Sequence, residues 1–201
     1  NKFHGNRITI IHADEAITND DLPTKAIKTK KNSSMVLGLN LIKENKADVF
    51  ISAGNTGALL TGSILILGRL EGIDRPALAP VIPTAKGGAL LIDAGFNTVC
   101  KPLNYLQFGI IGTIYMREIF GIKNPAVGLI NVGSEEQKGN ETIKQAFNLL
   151  SNANINFVGN IEGREIPEGK IDVAVCDGFV GNVILKFMEG VGSFIFEGLK
   201  D

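Results

Sequence analysis

The sequence predicts an α/β fold, a three-layer α/β/α sandwich on a mostly parallel sheet, and three observations carry that prediction. Short runs rich in Val, Ile and Leu, with little polar alternation, recur at 8–11, 49–52, 89–92, 127–130, 155–158 and 173–175. Strands buried on both faces read this way. Most of these runs lead into segments of helical periodicity, and strands alternating with helices build βαβ units. Between strand and helix lie turns rich in Gly, Asn and Asp: AGNTG, DAGFN, NVGSEEQKGN, GNIEGREI and CDGFVGN.

Taken in order, the run 8–11 ends in HADE. Residues 25–34, KAIKTKKNSS, hold four lysines and then Ser33 and Ser34, either of which suits the N-cap of a helix at MVLGLNLIKEN. The run 49–52 passes through AGNTG into ALLTGSILILGRL, which predicts a buried helix. Residues 70–84, LEGIDRPALAPVIPT, carry three prolines and predict an extended connection or an edge. The run 89–92 leads to a helix at 105–120, and the run 127–130 to the amphipathic ETIKQAFNLL. After 173–175 comes VILKFMEGVGSFIFEGL, a helix with Ile184, Phe187, Met188, Val191 and Ile195 on one stripe, widened by Phe194, Phe196 and Leu199. Core packing is the ordinary use of such a stripe; its width also suits another subunit or a membrane surface. With no repeat, low-complexity tract or internal linker, a single α/β domain over 1–201 is expected. Helical periodicity persists to Asp201, which reads as part of a longer protein.

Composition narrows the function. Twenty basic against 21 acidic side chains leave a net charge of -1, so no whole-molecule field drives nucleic-acid binding. Cys100 and Cys176 are the only two cysteines, too few for a disulfide framework, and a reducing cytoplasm is the expected setting. No run approaches 18 consecutive apolar residues. Glycine stands out at 24 of 201 residues, about 12 % against a usual share of about 7 %.

Standard catalytic and nucleotide fingerprints do not fit. The G-x-G at Gly190 and Gly192 falls within a predicted helix, with Ile195 where a third glycine belongs. Before Gly169 and Lys170, Arg164 stands where a P-loop needs glycine. No serine sits in a G-x-S-x-G elbow. His4 and His12 lack metal-ligand spacing and sit together near the start, so zinc hydrolysis is not expected; no metal and no cofactor enters the reading. His12 reads as a turn residue or a ligand contact. Cys176, ending a strand next to Asp177, reads as a nucleophile or as a small buried residue, the second favoured because no histidine is locally available to activate it.

The turns carry the remaining signal. In an open parallel sheet, ligands bind where strand carboxyl ends meet helix amino ends. Glycine admits close backbone approach and a helix start offers N–H groups to an anion. Asn55, Asn97, Asn131, Asn140, Asn160 and Asn182 all occur in these turns. Singly each reads as a turn former; together on one edge they suggest a shared site. Asp93 and Asp177 each end a strand before a glycine, as a turn cap or as an acid, base or orienting group. Lys138 lies with Glu135 and Glu136 between Gly133 and Gly139, either in a charged loop or delivered to an anion. The lysines 25, 28, 30 and 31 form a solvated face or a docking patch for an acidic partner.

The strings ISAGNTGALLTG, GRLEGIDRPALAPVIPT, GLINVGSEEQKGNE, NFVGNIEGREI and CDGFVGNVILKFMEG, with HADE and KTKKNSSM upstream, resemble the PlsX-type phosphate acyltransferases of bacterial phospholipid synthesis. The resemblance runs from about residue 12 to about residue 190 and implies transfer of a long-chain fatty acyl group from acyl carrier protein to inorganic phosphate, giving acyl phosphate. It further implies a fold similar to phosphotransacetylases and to isocitrate and isopropylmalate dehydrogenases, a homodimer, and peripheral membrane contact through the last helix. Phosphate is then the nucleophile, so no activated serine or cysteine is required. The leaving thiol has a pKa of about 8.5 and departs with little acid assistance. On this resemblance Asn55, Lys138, Asp177 and Asn182 are expected in catalysis. Ser52, Gly54, Thr56, Gly57, Asp93, Asn97, Asn131, Gly133, Glu136, Gly139, Asn140, Asn160, Gly178 and Gly181 are expected around phosphate and substrate, with backbone N–H groups of 54–57 and 178–182 facing the anion. Lys25, Lys28, Lys30 and Lys31 are expected to dock acyl carrier protein, which is acidic. Two positions depart from the family pattern: Phe96 in DAGFN stands where a small residue is usual, and Val180 where threonine is common. The other readings are a phosphotransacetylase acting on short acyl-CoA and a non-catalytic membrane-associated scaffold.

Overall fold

A computed structural model describes residues 8–200, so His4 lies outside the described residues. In place of the one domain expected, the backbone divides into two compact units, Asn1–Gly72 and Ile73–Asp201.

The described part of the first unit is helical. α1 (Pro23–Thr29) starts on a proline, whose fixed φ and missing N–H suit a first helical position. It forms within the lysine cluster, where no helix is predicted. α2 (Ser34–Lys43) has Ser33 at its N-cap, but the Ser33 hydroxyl donates back to the Lys30 carbonyl at 2.8 Å instead of capping. α3 (Thr56–Gly62) continues through a π-helical turn, Ser63–Leu67. Ile27, Met35, Val36, Leu39 and Ala58 form the core, with Ile17, Phe50, Leu59 and Ile66 against it. The strands expected at 8–11 and 49–52 are not formed. Ile10 is 90 % exposed and Ile51 89 %. An apolar run reports a tendency to be buried, but a strand also needs a neighbour for its backbone donors and acceptors. The only bridge in this unit among the described residues joins Glu15 to Ser33.

The second unit is the predicted sandwich. Its five strands, β1 (Val81–Thr84), β2 (Gly87–Ile92), β3 (Ala126–Ile130), β4 (Asn156–Ile161) and β5 (Val173–Val175), lie in the order β1-β2-β5-β3-β4. β1 runs antiparallel to β2 and every other pairing is parallel. The proline-rich connection thus ends in the edge strand, where Pro83 is tolerated. A register shift leaves Val158 as an extra residue on β4, a bulge on the opposite edge.

Two apolar layers flank the sheet. On one face α4 (Pro102–Phe120) and α5 (Glu141–Ser151) bring Tyr105, Phe108, Met116, Ala146 and Leu150 onto Leu90, Val127, Leu129 and Val173. α4 stops at Gly121, whose φ of 70° is the left-handed C-terminal turn. On the other face Ile166 and Ile171 cover Leu91, Ala174 and Cys176, joined by Val180, Ile184, Leu185 and Met188 of α6 (Gly178–Gly198). α6 begins five residues earlier than its periodicity indicates, at its Asp177 cap. Of the stripe read as core, Ile184 and Met188 pack, whereas Phe187, Phe194, Ile195, Phe196 and Leu199 stay exposed. The cause is geometric: a 21-residue helix spans about 30 Å, whereas a three-residue central strand spans about 10 Å. Among the described residues α6 is also the one helix long and apolar enough to cross a membrane by length and composition, although no 18 consecutive residues are apolar and its first half packs on the sheet.

Candidate active site

The parallel strands of the second unit deliver three turns to one edge. The turn after β2 is closed around Asp93, which is fully buried. Its Oδ1 accepts from the backbone N–H groups of Leu78, Gly95 and Phe96 at 3.0–3.1 Å. Its Oδ2 accepts from the Asn97 backbone and side chain, both at 2.7 Å. The remaining Asn97 amide proton goes to the Pro76 carbonyl. Asp93 and Asn97, expected around substrate, are therefore spent on shaping the turn.

α6 starts against this turn. Gly178 donates to the Asn97 carbonyl at 2.8 Å, and a Cβ there would lie 2.8 Å from the Asn97 nitrogen. Gly181 leaves no room for a Cβ beside the Asp93 carbonyl and the Cys176 sulfur. The Val180 N–H goes to Asp177 Oδ1 and that of Gly181 to the Asp177 carbonyl. The glycines expected to bind phosphate through N–H groups are instead there because the helix sits so close, and three of those donors are taken. Asn182 is exposed, its side chain lying over Gly95.

The turn after β3, residues 131–140, folds back over the sheet edge. Asn131 donates to the Lys138 carbonyl at 3.0 Å and accepts from Val132. Gly139, with φ of 86°, passes where a Cβ would meet Asn131 Oδ1 and Ile143 at 2.9 Å. Asn140 caps α5 by accepting from the Ile143 N–H at 3.0 Å. From β4, Asn160 pins the loop by donating to the Glu135 carbonyl at 2.9 Å, while its own buried Oδ1 has no protein partner. Gly133 is buried beneath the Glu135 and Lys138 side chains. The Lys138 ammonium is exposed, 3.8 Å from Glu135, and Glu136 is exposed as well.

These turns enclose a cavity of about 270 Å³ lined by Tyr105, Ile130, Asn131, Val132, Gly139, Asn140, Ile143, Cys176, Asp177 and Val180. Four expected site residues, Asn131, Gly139, Asn140 and Asp177, thus meet. Tyr105 is a residue the sequence reading missed: it lies in the first turn of α4, within a stretch read only as helix. Its hydroxyl donates to Asp177 Oδ2 at 3.2 Å. Burial, then the neighbouring Asp177 charge, pushes its phenol well above the usual range. The two thiols are unfit as nucleophiles. Burial raises Cys176 far above an ordinary thiol, and it donates to the Asp93 carbonyl at 3.3 Å. Cys100 is pushed up to about 11 by burial and then by Asp177 and Asp93.

In the first unit the AGNTG turn is self-contained. Asn55 Oδ1 caps α3 by accepting from Ala58 at 2.9 Å, and Nδ2 donates to the carbonyls of Thr18, Asn19 and Asp21. A catalytic role was expected for Asn55; its side chain is fully engaged in holding two segments together. Ser52 accepts from the Gly54 N–H at 3.2 Å, and both residues line a hollow with Ile17, Met35 and Phe50. Gly57 packs on Pro23, 2.8 Å from where its Cβ would stand, and Thr56 is exposed. Among the four lysines, Lys30 turns inward to Asp21 at 2.6 Å and to the Ala16 carbonyl, and Lys31 donates to the Ile27 carbonyl. Lys25 and Lys28 line a shallow groove with Leu22, Pro23, Thr24 and Thr29. His12 is a surface residue paired with Asp14 at 2.8 Å. Among the described residues no three His, Cys, Asp or Glu side chains are grouped to hold a metal ion.

Fold and cavity together define an α/β protein of phosphotransacetylase-like architecture with a ligand-sized cavity at the carboxyl edge of its sheet. The EutD phosphotransacetylase from Staphylococcus aureus is similar over 78 % of this chain and 55 % of its own, with TM-score 0.62 and 16 % identity. A phosphotransacetylase from Streptococcus pyogenes is similar over 78 % and 54 %, with TM-score 0.59 and 18 % identity. At such identities the likeness is one of fold. In sequence, the family described as "Fatty acid synthesis protein" matches residues 1–201. A phosphate acyltransferase of Acetivibrio thermocellus is 62 % identical over 198 residues, 98 % of this chain and 58 % of the relative. One of Alkaliphilus oremlandii is 59 % identical over 195 residues, 97 % of this chain and 58 % of the relative. The chain belongs to the fatty acid synthesis protein family, of PlsX type, and spans somewhat more than half the length of these relatives.

Proposed function

We propose that this chain carries the acyl-transfer site of an enzyme that moves a fatty acyl group from acyl carrier protein to inorganic phosphate. The observation that carries the reading is the 131–140 loop, which carries the exposed Lys138 next to cavity-lining Gly139 and Asn140 at the carboxyl edge of the sheet, in a chain whose relatives are named phosphate acyltransferases. A phosphate oxygen attacks the thioester carbonyl, the C–S bond breaks, and the departing thiolate takes up a proton from solvent; the new bond is the P–O–C link of an acyl phosphate. Lys138 balances the phosphate charge. The Asn182 amide, exposed at the start of α6, donates to the oxyanion as it develops.

The partners follow from surfaces as well as from the resemblance. Lys25 and Lys28, exposed and sharing a shallow groove with the exposed Leu22, suit an acidic carrier protein. The uncovered apolar side of α6 suits peripheral contact with a membrane surface, and a homodimer is the expected assembly. This reading is of a cytoplasmic enzyme working against the membrane.

The test is to incubate the full-length enzyme with palmitoyl carrier protein and phosphate and to trap acyl phosphate with hydroxylamine. Long-chain product from the wild type, lost on Lys138→Ala and reduced on Asn182→Ala, supports the assignment. Product from acetyl-CoA and none from the long-chain carrier substrate replaces it with a short-chain phosphotransacetylase.

A further inference from the structure

The cavity and the exposed loop beside it differ in charge. Lys138 is absent from the cavity wall, and no lysine, arginine or histidine lines it; Asp177 is its one charged residue. A phosphate dianion inside would stand against a carboxylate with no cation to offset it. The Asp177 carboxylate is held by two donors, the Val180 N–H at 2.9 Å and the Tyr105 hydroxyl at 3.2 Å. A carboxylate has about four acceptor sites, so it can still receive N–H or O–H groups from a ligand. The amide nitrogen of Asn140 is left free by the cap that uses its oxygen. Around these polar points the wall is aliphatic: Ile130, Val132, Ile143 and Val180. The complementary ligand is uncharged, partly aliphatic, and bears amide or hydroxyl donors and acceptors.

We propose that this cavity holds the neutral, amide-bearing pantetheine arm of the thioester substrate, with Tyr105 as its specificity-determining residue and phosphate confined to the exposed loop at Lys138. The proposal rests on the acyl-transfer reading for the identity of the arm. Tyr105 acts in two ways: its ring walls the cavity, and its hydroxyl fixes which face of Asp177 meets the ligand. Free carboxylate rotation would spread the acceptor over several directions and weaken recognition of a directed amide.

The full-length protein is titrated separately with pantetheine, with inorganic phosphate and with decanoate as an acyl-chain probe, each followed by protein NMR shifts. Three proteins are compared: wild type, Tyr105→Phe and Val132→Trp. Val132 is 83 % exposed at the cavity mouth, so enlarging it obstructs the cavity without crowding the core. Val132→Trp is expected to weaken pantetheine roughly tenfold or more, and Tyr105→Phe by roughly three- to tenfold, with phosphate affinity unchanged in both. In steady-state assays the same variants raise KM for the carrier substrate and leave KM for phosphate alone. Unchanged pantetheine affinity in Val132→Trp overturns the proposal, as does competition between phosphate and pantetheine. So does loss of decanoate binding with pantetheine unaffected, which assigns the cavity to the acyl chain. Acyl phosphate formation with cavity-independent pantetheine binding refutes this subsite and leaves the acyltransferase standing. Cavity-dependent pantetheine binding without acyl phosphate refutes the reaction and leaves the subsite.

Discussion

The asparagines and aspartates of the turns are used mainly on their own backbone. Asn55, Asn140 and Asp177 cap helices, Asn131 and Asn160 tie one loop, and Asp93 organises another. Asp93 is the most committed, accepting five N–H groups while fully buried. Replacing it with Asn substitutes a donor for an acceptor opposite donors, which is expected to cost about 2–4 kcal/mol in urea denaturation. Cys100 gives a pH-dependent expectation. Burial, then Asp177 and Asp93, raises its thiol from 9.0 to about 11. Between those values the folded chain keeps a proton that the unfolded chain has lost. Stability from this source is therefore intact below pH 9.0 and falls as pH rises toward 11. Melting curves across that range should show the decline, with a shallower slope in Cys100→Ala. Such residues were legible as turn formers because short polar side chains reach nearby backbone. Their assignment to turn or substrate was not, since it depends on which donors the fold brings to each oxygen.

Among the elements, the four central and edge strands at 87–92, 126–130, 156–161 and 173–175 follow the apolar runs closely, because burial on both faces leaves its mark on every residue. The segments 8–11 and 49–52 show the same pattern without the element, as pairing is a property of a neighbour. α6 divides along its length: its start is locked to the 93–97 turn and its end exposes an apolar side. Gly181 makes that lock possible. Gly181→Ala forces the helix off the Asp93 carbonyl and is expected to lower stability by about 1–3 kcal/mol. It should also perturb the Tyr105–Asp177 pair, since Asp177 caps the same helix. Denaturant midpoints and the Tyr105 ring resonances report the two effects separately.

For the molecule as a whole, the expected interactions lie on surfaces of the two units. Reversing Lys25 and Lys28 to Glu is expected to raise KM for the carrier protein several-fold, more at low salt than at high. Reversal at Lys31 has less effect, because its ammonium already bonds to the Ile27 carbonyl. On α6, replacing Phe187 and Phe194 by Ser removes two rings that are 70 % and 78 % exposed. Retention of the full-length protein by anionic phospholipid vesicles in co-sedimentation should then fall, with turnover on soluble carrier substrate preserved. Vesicle binding that survives this change assigns the surface to another role, with subunit contact measured by sedimentation velocity.

Local chemistry alone settled the sandwich class and marked 70–84 as an extended connection or an edge, of which 81–84 is the edge strand; of the turns expected on one side of the sheet, it found those after 92, 130 and 175. It also marked the glycine excess as a property of those turns. Each of these follows from the period of burial or from the φ and hydrogen-bonding habits of single residues, which are written in the chain. What needed three dimensions was everything set by distance between remote segments. Tyr105 and Asp177, 72 positions apart, meet only because α4 and β5 stack. Gly181 is required only because Asp93 arrives beneath it. The same packing keeps lysine off the cavity wall and leaves one carboxylate there, so a turn pattern that suggested an anion site encloses a cavity suited to an uncharged ligand.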